Sequence, residues 1–87
     1  MWKEMTNLKL IVLTNKQILL SQIDEVGSEL GEPDCRLNKP LLIEDGNLVS
    51  WFGEYTDQEE FMIHSDKILT IAEPKKNLID KYESFKH

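Results

Sequence analysis

The chain has one cysteine, Cys35, one arginine, Arg36, four glycines and three prolines in 87 residues. A lone cysteine excludes an intrachain disulfide, and no Cys/His spacing suits a structural zinc site. No apolar run approaches the ~20 residues needed to span a bilayer. The start, MWKEMTNLKL, lacks the long apolar middle and small-residue cleavage site of a signal peptide. A reducing, cytoplasmic setting is therefore expected, with no membrane contact. Basic residues are also scarce: ten Lys and Arg stand against sixteen Asp and Glu, a formal charge of −6. That balance excludes a generally basic nucleic-acid surface, because phosphate binding draws most of its affinity from cations, and confines any such contact to a local pocket or pore.

What is present is enough for one folded domain. The apolar fraction of 40 % supports a core, and the length supports a single domain over residues 1–87. Leu8 to Leu13 is a compact apolar run and Ile18 to Val26 reads as its returning strand, with the turn at Thr14, Asn15 and Lys16 between them. Asn15 is the residue of that turn suited to the left-handed conformation. Gly27 to Pro33 is a break, Asp34 to Asp45 a strand bulged at Pro40, and Asp45 to Asn47 a turn. Phe61 to Ile63 and Ile68 to Ala72, separated by His64, Ser65, Asp66 and Lys67 and closed by Pro74, read as strand, tight turn, strand. Beyond Pro74 the period changes. Leu78, Ile79, Tyr82 and Phe85 lie on one face of an amphipathic helix, which either packs on the strands or docks on a partner.

About five short strands in some 65 residues predict a small, strongly bent barrel rather than two filled sheets. The expected fold is mainly β, a five-stranded barrel over about 8–73 with the helix over about 74–86. Exposed strand edges on so small a barrel template pairing with another copy, and head-to-tail pairing closes into a ring.

The residues resemble a family at this point. Ile63, His64, Ser65, Asp66, Lys67, Ile68, Leu69, Thr70 and Ile71 look like the second motif of the Sm/LSm proteins, with His64 where the family has Arg and Ser65 where it has Gly. Asp34, Leu37 and Asn38 stand at the spacing of the first motif. From end to end the chain is similar to a group of Sm-like proteins of cyanophage origin from marine metagenomic sequence. The resemblance implies an Sm-like (SH3-type) barrel, a homo-oligomeric ring, single-stranded RNA or DNA as ligand, a role in RNA or DNA processing, and the cytoplasm of an infected bacterial host. It also implies nucleic-acid-binding positions at Arg36, Asn38, His64, Ser65 and Asp66. Asn38 offers donors and an acceptor to a base edge, and Arg36 or His64 a plane for stacking.

Each residue has a structural reading beside the functional one. Asn38 satisfies turn backbone, Asp66 caps the hairpin turn, Asp34 stabilises a loop, and Arg36 makes an intersubunit salt bridge with an acidic neighbour such as Glu32 or Glu44. Cys35 is a small buried hydrophobe. Trp51, Phe52 and Tyr55 are core or subunit interface, or else a stacking platform.

Catalysis finds no constellation. Ser65 and Asp66 flank His64 in one turn, too close for nucleophile, base and orienter to face one another. The carboxylate pairs Glu44/Asp45 and Glu59/Glu60 are adjacent, so on strands they point to opposite faces. No enzyme, cofactor or metal is expected. The alternative to nucleic-acid binding is an oligomeric protein-interaction or assembly module that grips its partner with the terminal helix or the aromatic loop.

Overall fold

Branched and long aliphatic residues crowd the start of the chain and build β1 (Leu8–Leu13), which pairs antiparallel with β2 (Ile18–Glu25). The computed structural model describes residues 8–27 and 29–86. Met1 to Asn7, read from the sequence as too short for a substantial helix, lies outside the described residues, as does Ser28 within the break after Gly27. In the β1–β2 turn the left-handed residue is Lys16 (φ 76°) rather than Asn15. Asn15 serves the turn through its side chain, whose Oδ1 accepts from the Gln17 N–H at 3.0 Å.

The longest strand, β3 (Cys35–Glu44), organises the rest. One edge pairs with β2. The other carries β4 (Asn47–Ser50) on its second half, through a turn with Asp45 and Gly46 both left-handed, and β5 (Glu60–Ile63) on its first half. Between the halves the register slips: Leu20 faces Leu41 but Gln22 faces Asn38. Lys39 and Pro40 together stand opposite Ser21, a bulge of one extra residue at the place the proline predicts. Lys39 takes a left-handed φ of 55° and its N–H donates to Glu59 at 2.7 Å. The final strand, β6 (Ile68–Ala72), pairs with the far edge of β1.

Two expectations are corrected. Phe61 to Ala72 is not a hairpin, since β5 pairs with β3 and β6 with β1. The polar residues between them form a 3-10 turn over Ser65–Lys67, closed by the Lys67 N–H donating to His64. Nor does the sheet close into the expected five-stranded Sm-like barrel. Its six strands run β4-β3-β2-β1-β6, with β5 on β3, a path with two ends. Closure needs a ladder continued around the whole circumference. Here β4 and β5, four residues each, are both spent on β3, and among the described residues no ladder joins either to β6, so the sheet is open.

Alternation along the strands sends apolar side chains to two clusters. Leu8, Leu20 and Leu41 meet Tyr82, with Leu78 and Ile79, under α1 (Lys76–Lys86). Ile11, Leu13, Leu19 and Leu37 gather with Ile63, Ile68 and Trp51 in the second. Each fully buried leucine contributes about 1.5–3 kcal/mol relative to exposure. The helix therefore packs on the sheet, and Tyr82 pins it to the bulge: the buried hydroxyl donates to the Lys39 carbonyl at 2.9 Å. Burial, then the nearby Glu83 charge, push the Tyr82 phenol up to about 12. Opposite the bulge, fully buried Ser21 donates to the Gln22 carbonyl at 2.8 Å.

Candidate functional site

The turn after β5 is held by the residue that opens β3. A carboxylate just before a strand can accept from any N–H brought near it, and Asp34 accepts twice from Ser65, from its backbone N–H at 2.7 Å and its hydroxyl at 2.8 Å. These bonds hold the Asp34 carboxyl below its ordinary value, the side-chain bond contributing most. The loop-stabilising reading of Asp34 is thus realised in the geometry. His64 is half-buried and extended (φ −83°, ψ 137°), and its side chain does not cap the turn; Asp66 is exposed within it. Neighbouring Cys35 is buried, and burial pushes its thiol up.

The other two sequence-predicted positions are engaged elsewhere. Arg36 faces Asp24 across the β2–β3 ladder and donates to its carboxylate at 3.2 Å, so its partner is in its own chain and is neither Glu32 nor Glu44. Asn38 faces Gln22, with 3.5 Å between the side-chain amides. Asn38 also stands opposite Glu60, four residues from His64 along β5. At about 3.3 Å per residue that is roughly 13 Å of strand. The structure thus gathers His64, Ser65 and Asp66 with Asp34, and leaves Arg36 and Asn38 in a separate cross-strand row.

Sequence reasoning gave less weight to the loop after β4. Trp51 turns into the second cluster, while Phe52 and Tyr55 are 46 % and 83 % exposed. Phe52 stacks on Trp51 at 4.5 Å between ring centroids, and Phe61 meets Trp51 edge-on at 5.5 Å. The loop is tight: a Cβ on Gly53 would lie 2.0 Å from Ser50 Oγ. Phe52 has a φ of 72°, a conformation that a bulky side chain rarely adopts. A cleft of about 320 Å³ lies on one side, between Lys39, Trp51, Glu59, Phe61, Tyr82 and Phe85. A groove of about 470 Å³ lies on the other, between Leu42, Glu44, Val49, Phe52, Glu54 and Tyr55. The visible signal was three aromatics within five residues of a polar, glycine-containing stretch.

The far margin is apolar as well. Ile71 stands opposite Ile11 in the β1–β6 ladder, so both point to one face, yet Ile11 is fully buried and Ile71 is 48 % exposed. Leu69, 61 % exposed, sits where the register slips between Val12 and Leu13. Among the described residues no group of three or more His, Cys, Asp or Glu is placed to hold a metal ion, and no helix is long and apolar enough to cross a membrane.

These features define a mainly β, open-sheet domain with a C-terminal helix, bearing one apolar margin and one aromatic loop. Residues 6–87 match the family of unknown function DUF6561, and the chain belongs to that family. No curated protein matches it. The expected kinship with Sm/LSm proteins and their cyanophage group is corrected accordingly, since the family match carries neither link. The expected function, a ring that binds single-stranded RNA or DNA, is set aside with it. That function presupposed a closed Sm-type barrel, and the sheet is open, with Arg36 and Asn38 facing Asp24 and Gln22 within the fold.

Proposed function

We propose that this chain is a non-enzymatic protein-interaction and assembly module, acting in the cytoplasm, which associates with copies of itself along the β6 margin. The observation that carries this reading is the half-exposed Ile71 directly opposite the fully buried Ile11 of the next strand inward. An edge strand offers unpaired N–H and C=O groups to another chain, and proteins that stay monomeric blunt such edges with charge, proline or cover. Along β6 the side chains are Ile68, Leu69, Thr70, Ile71 and Ala72, with no charge among them and four of the five exposed. Charges flank the strand rather than interrupt it: Lys67 precedes Ile68, and Glu73 follows Ala72 and pairs with Lys9 of β1.

Sedimentation of the wild-type chain beside Ile71→Lys tests this. The wild type is expected to exceed the 10.2 kDa of one chain and the variant to return to it. A wild type at monomer mass, or a variant with undiminished association, would sink the reading.

A further inference from the structure

We infer that the opposite margin of the sheet, the groove between β4 and the aromatic loop, takes an extended basic segment of a partner protein in which Lys or Arg alternates with apolar residues. The inference rests on the interaction-module reading and adds the partner's chemistry.

The floor follows from register. Leu42 and Val49 face each other across the β3–β4 ladder, and Glu44, two residues from Leu42, lies on that same face. The opposite face of β4 is taken, because Leu48 packs against the cluster beneath the helix. The loop forms the wall, with Phe52, Glu54 and Tyr55 lining the groove and Phe52 braced against Trp51. The acidic residues that line it are Glu44 and Glu54, both exposed, and no Lys or Arg is among the lining residues.

Apolar floor, aromatic wall and carboxylate rim select a ligand by charge complementarity. A guanidinium or ammonium over Phe52 or Tyr55 is attracted by the ring face, and the two carboxylates reinforce the attraction. The occupant is extended because the floor is the face of two paired strands, over which a flat segment fits. Side chains of an extended segment alternate, one set pointing down to Leu42 and Val49 and the other up to the rim, where Glu44 and Glu54 stand. An acidic segment would meet like charge at both carboxylates. The cleft on the other side of the loop is less selective, since Lys39 lines it together with Asp57 and Glu59.

The experiment uses the full chain, isotope-labelled, titrated with a short acetylated peptide alternating arginine and valine, and with its glutamate–valine counterpart. Saturable amide shifts at Leu42, Glu44, Val49 and Tyr55 are expected with the arginine peptide alone, weakening as salt is added. Tyr55→Ser combined with Glu54→Gln, both exposed and outside the core, should weaken binding by about tenfold through loss of one cation–π contact and one ion pair. Phe52→Ser is the second variant, its fold checked by the shifts of β1 and β2. Absence of binding to the wild type, equal binding of both peptides, or undiminished binding by the folded Tyr55→Ser/Glu54→Gln variant would each overturn the inference. The self-association mass of that variant separates the two proposals. An unchanged mass with lost peptide binding supports two independent margins, and lost mass would overturn the assignment of the groove to a different partner.

Discussion

Ile71 and Ile11 are cross-strand neighbours on one face of the sheet, and one is half exposed while the other is fully buried. A single strand's width separates the two, because among the described residues no strand pairs with the outer edge of β6. Burying the exposed part of such a side chain is favourable at about 25 cal/mol per Å², and the free backbone edge supplies direction to what is otherwise a non-directional force.

Tyr82→Phe should cost about 1 kcal/mol, the net worth of the bond from its hydroxyl to Lys39. For a domain of this size that corresponds to a fall in Tm of about 4–8 °C. Circular dichroism melts of the two proteins measure it. Retained Tm in the variant would mean that the bulge at Lys39 and Pro40 is held by packing alone.

The same hydroxyl sets the alkaline limit. Its folded pKa, about 12, lies above the ordinary value of 10.0, so burial favours the neutral form. The stabilisation is complete below the unfolded value and is lost as pH rises from about 10 toward about 12. Chemical denaturation across that window should show a steeper loss for the wild type than for Tyr82→Phe.

At the acid end Asp34 works with the opposite sign. Its folded pKa is lowered by Ser65, so its contribution is present above the ordinary value of 3.8 and is lost as pH falls through the folded one. Ser65→Ala should flatten the acid limb of the stability profile and leave the limb near neutrality unchanged. Asp34→Asn, which removes the carboxylate that accepts both bonds, should flatten it further, and the double variant should add little to Asp34→Asn alone.

Gly53→Ala should destabilise by about 1–3 kcal/mol, since the new Cβ would meet Ser50 Oγ at 2.0 Å and Ser50 Cβ at 2.7 Å. Adding Ser50→Gly removes both atoms and should restore most of the loss, as read by denaturant midpoints. Equal destabilisation in the single and double variants would show that the loop does not depend on that close approach.

Local features were legible in the sequence and long-range ones were not. The apolar run Leu8 to Leu13 is β1 to the residue, the proline at 40 marked the bulge, and the spacing of Leu78, Ile79 and Tyr82 identified the packed face of α1, although Phe85, expected on the same face, is 47 % exposed. The differences lie where strands pair over long range. His64 to Lys67 have the composition of a hairpin turn, but β5 and β6 are claimed by strands more than twenty residues earlier in the chain, and no local rule reports that competition. The expected barrel fails on the same ground, since closure depends on which strands pair. Arg36 and Asn38 looked available because Asp24 and Gln22, their cross-strand partners, are fixed by register, which slips by one residue at the bulge. The aromatic residues of the loop were visible, but their division into a buried Trp51 and an exposed Tyr55 depends on Gly53 and the left-handed Phe52.

Amide hydrogen exchange of the wild-type chain over a dilution series joins association to its location. Exchange at Leu69 to Ala72 should slow as concentration rises while the amides of β4 keep a constant rate, which places the self-contact on the Ile71 margin. Rates at β6 that do not change with concentration, or slowing confined to β4, would contradict it.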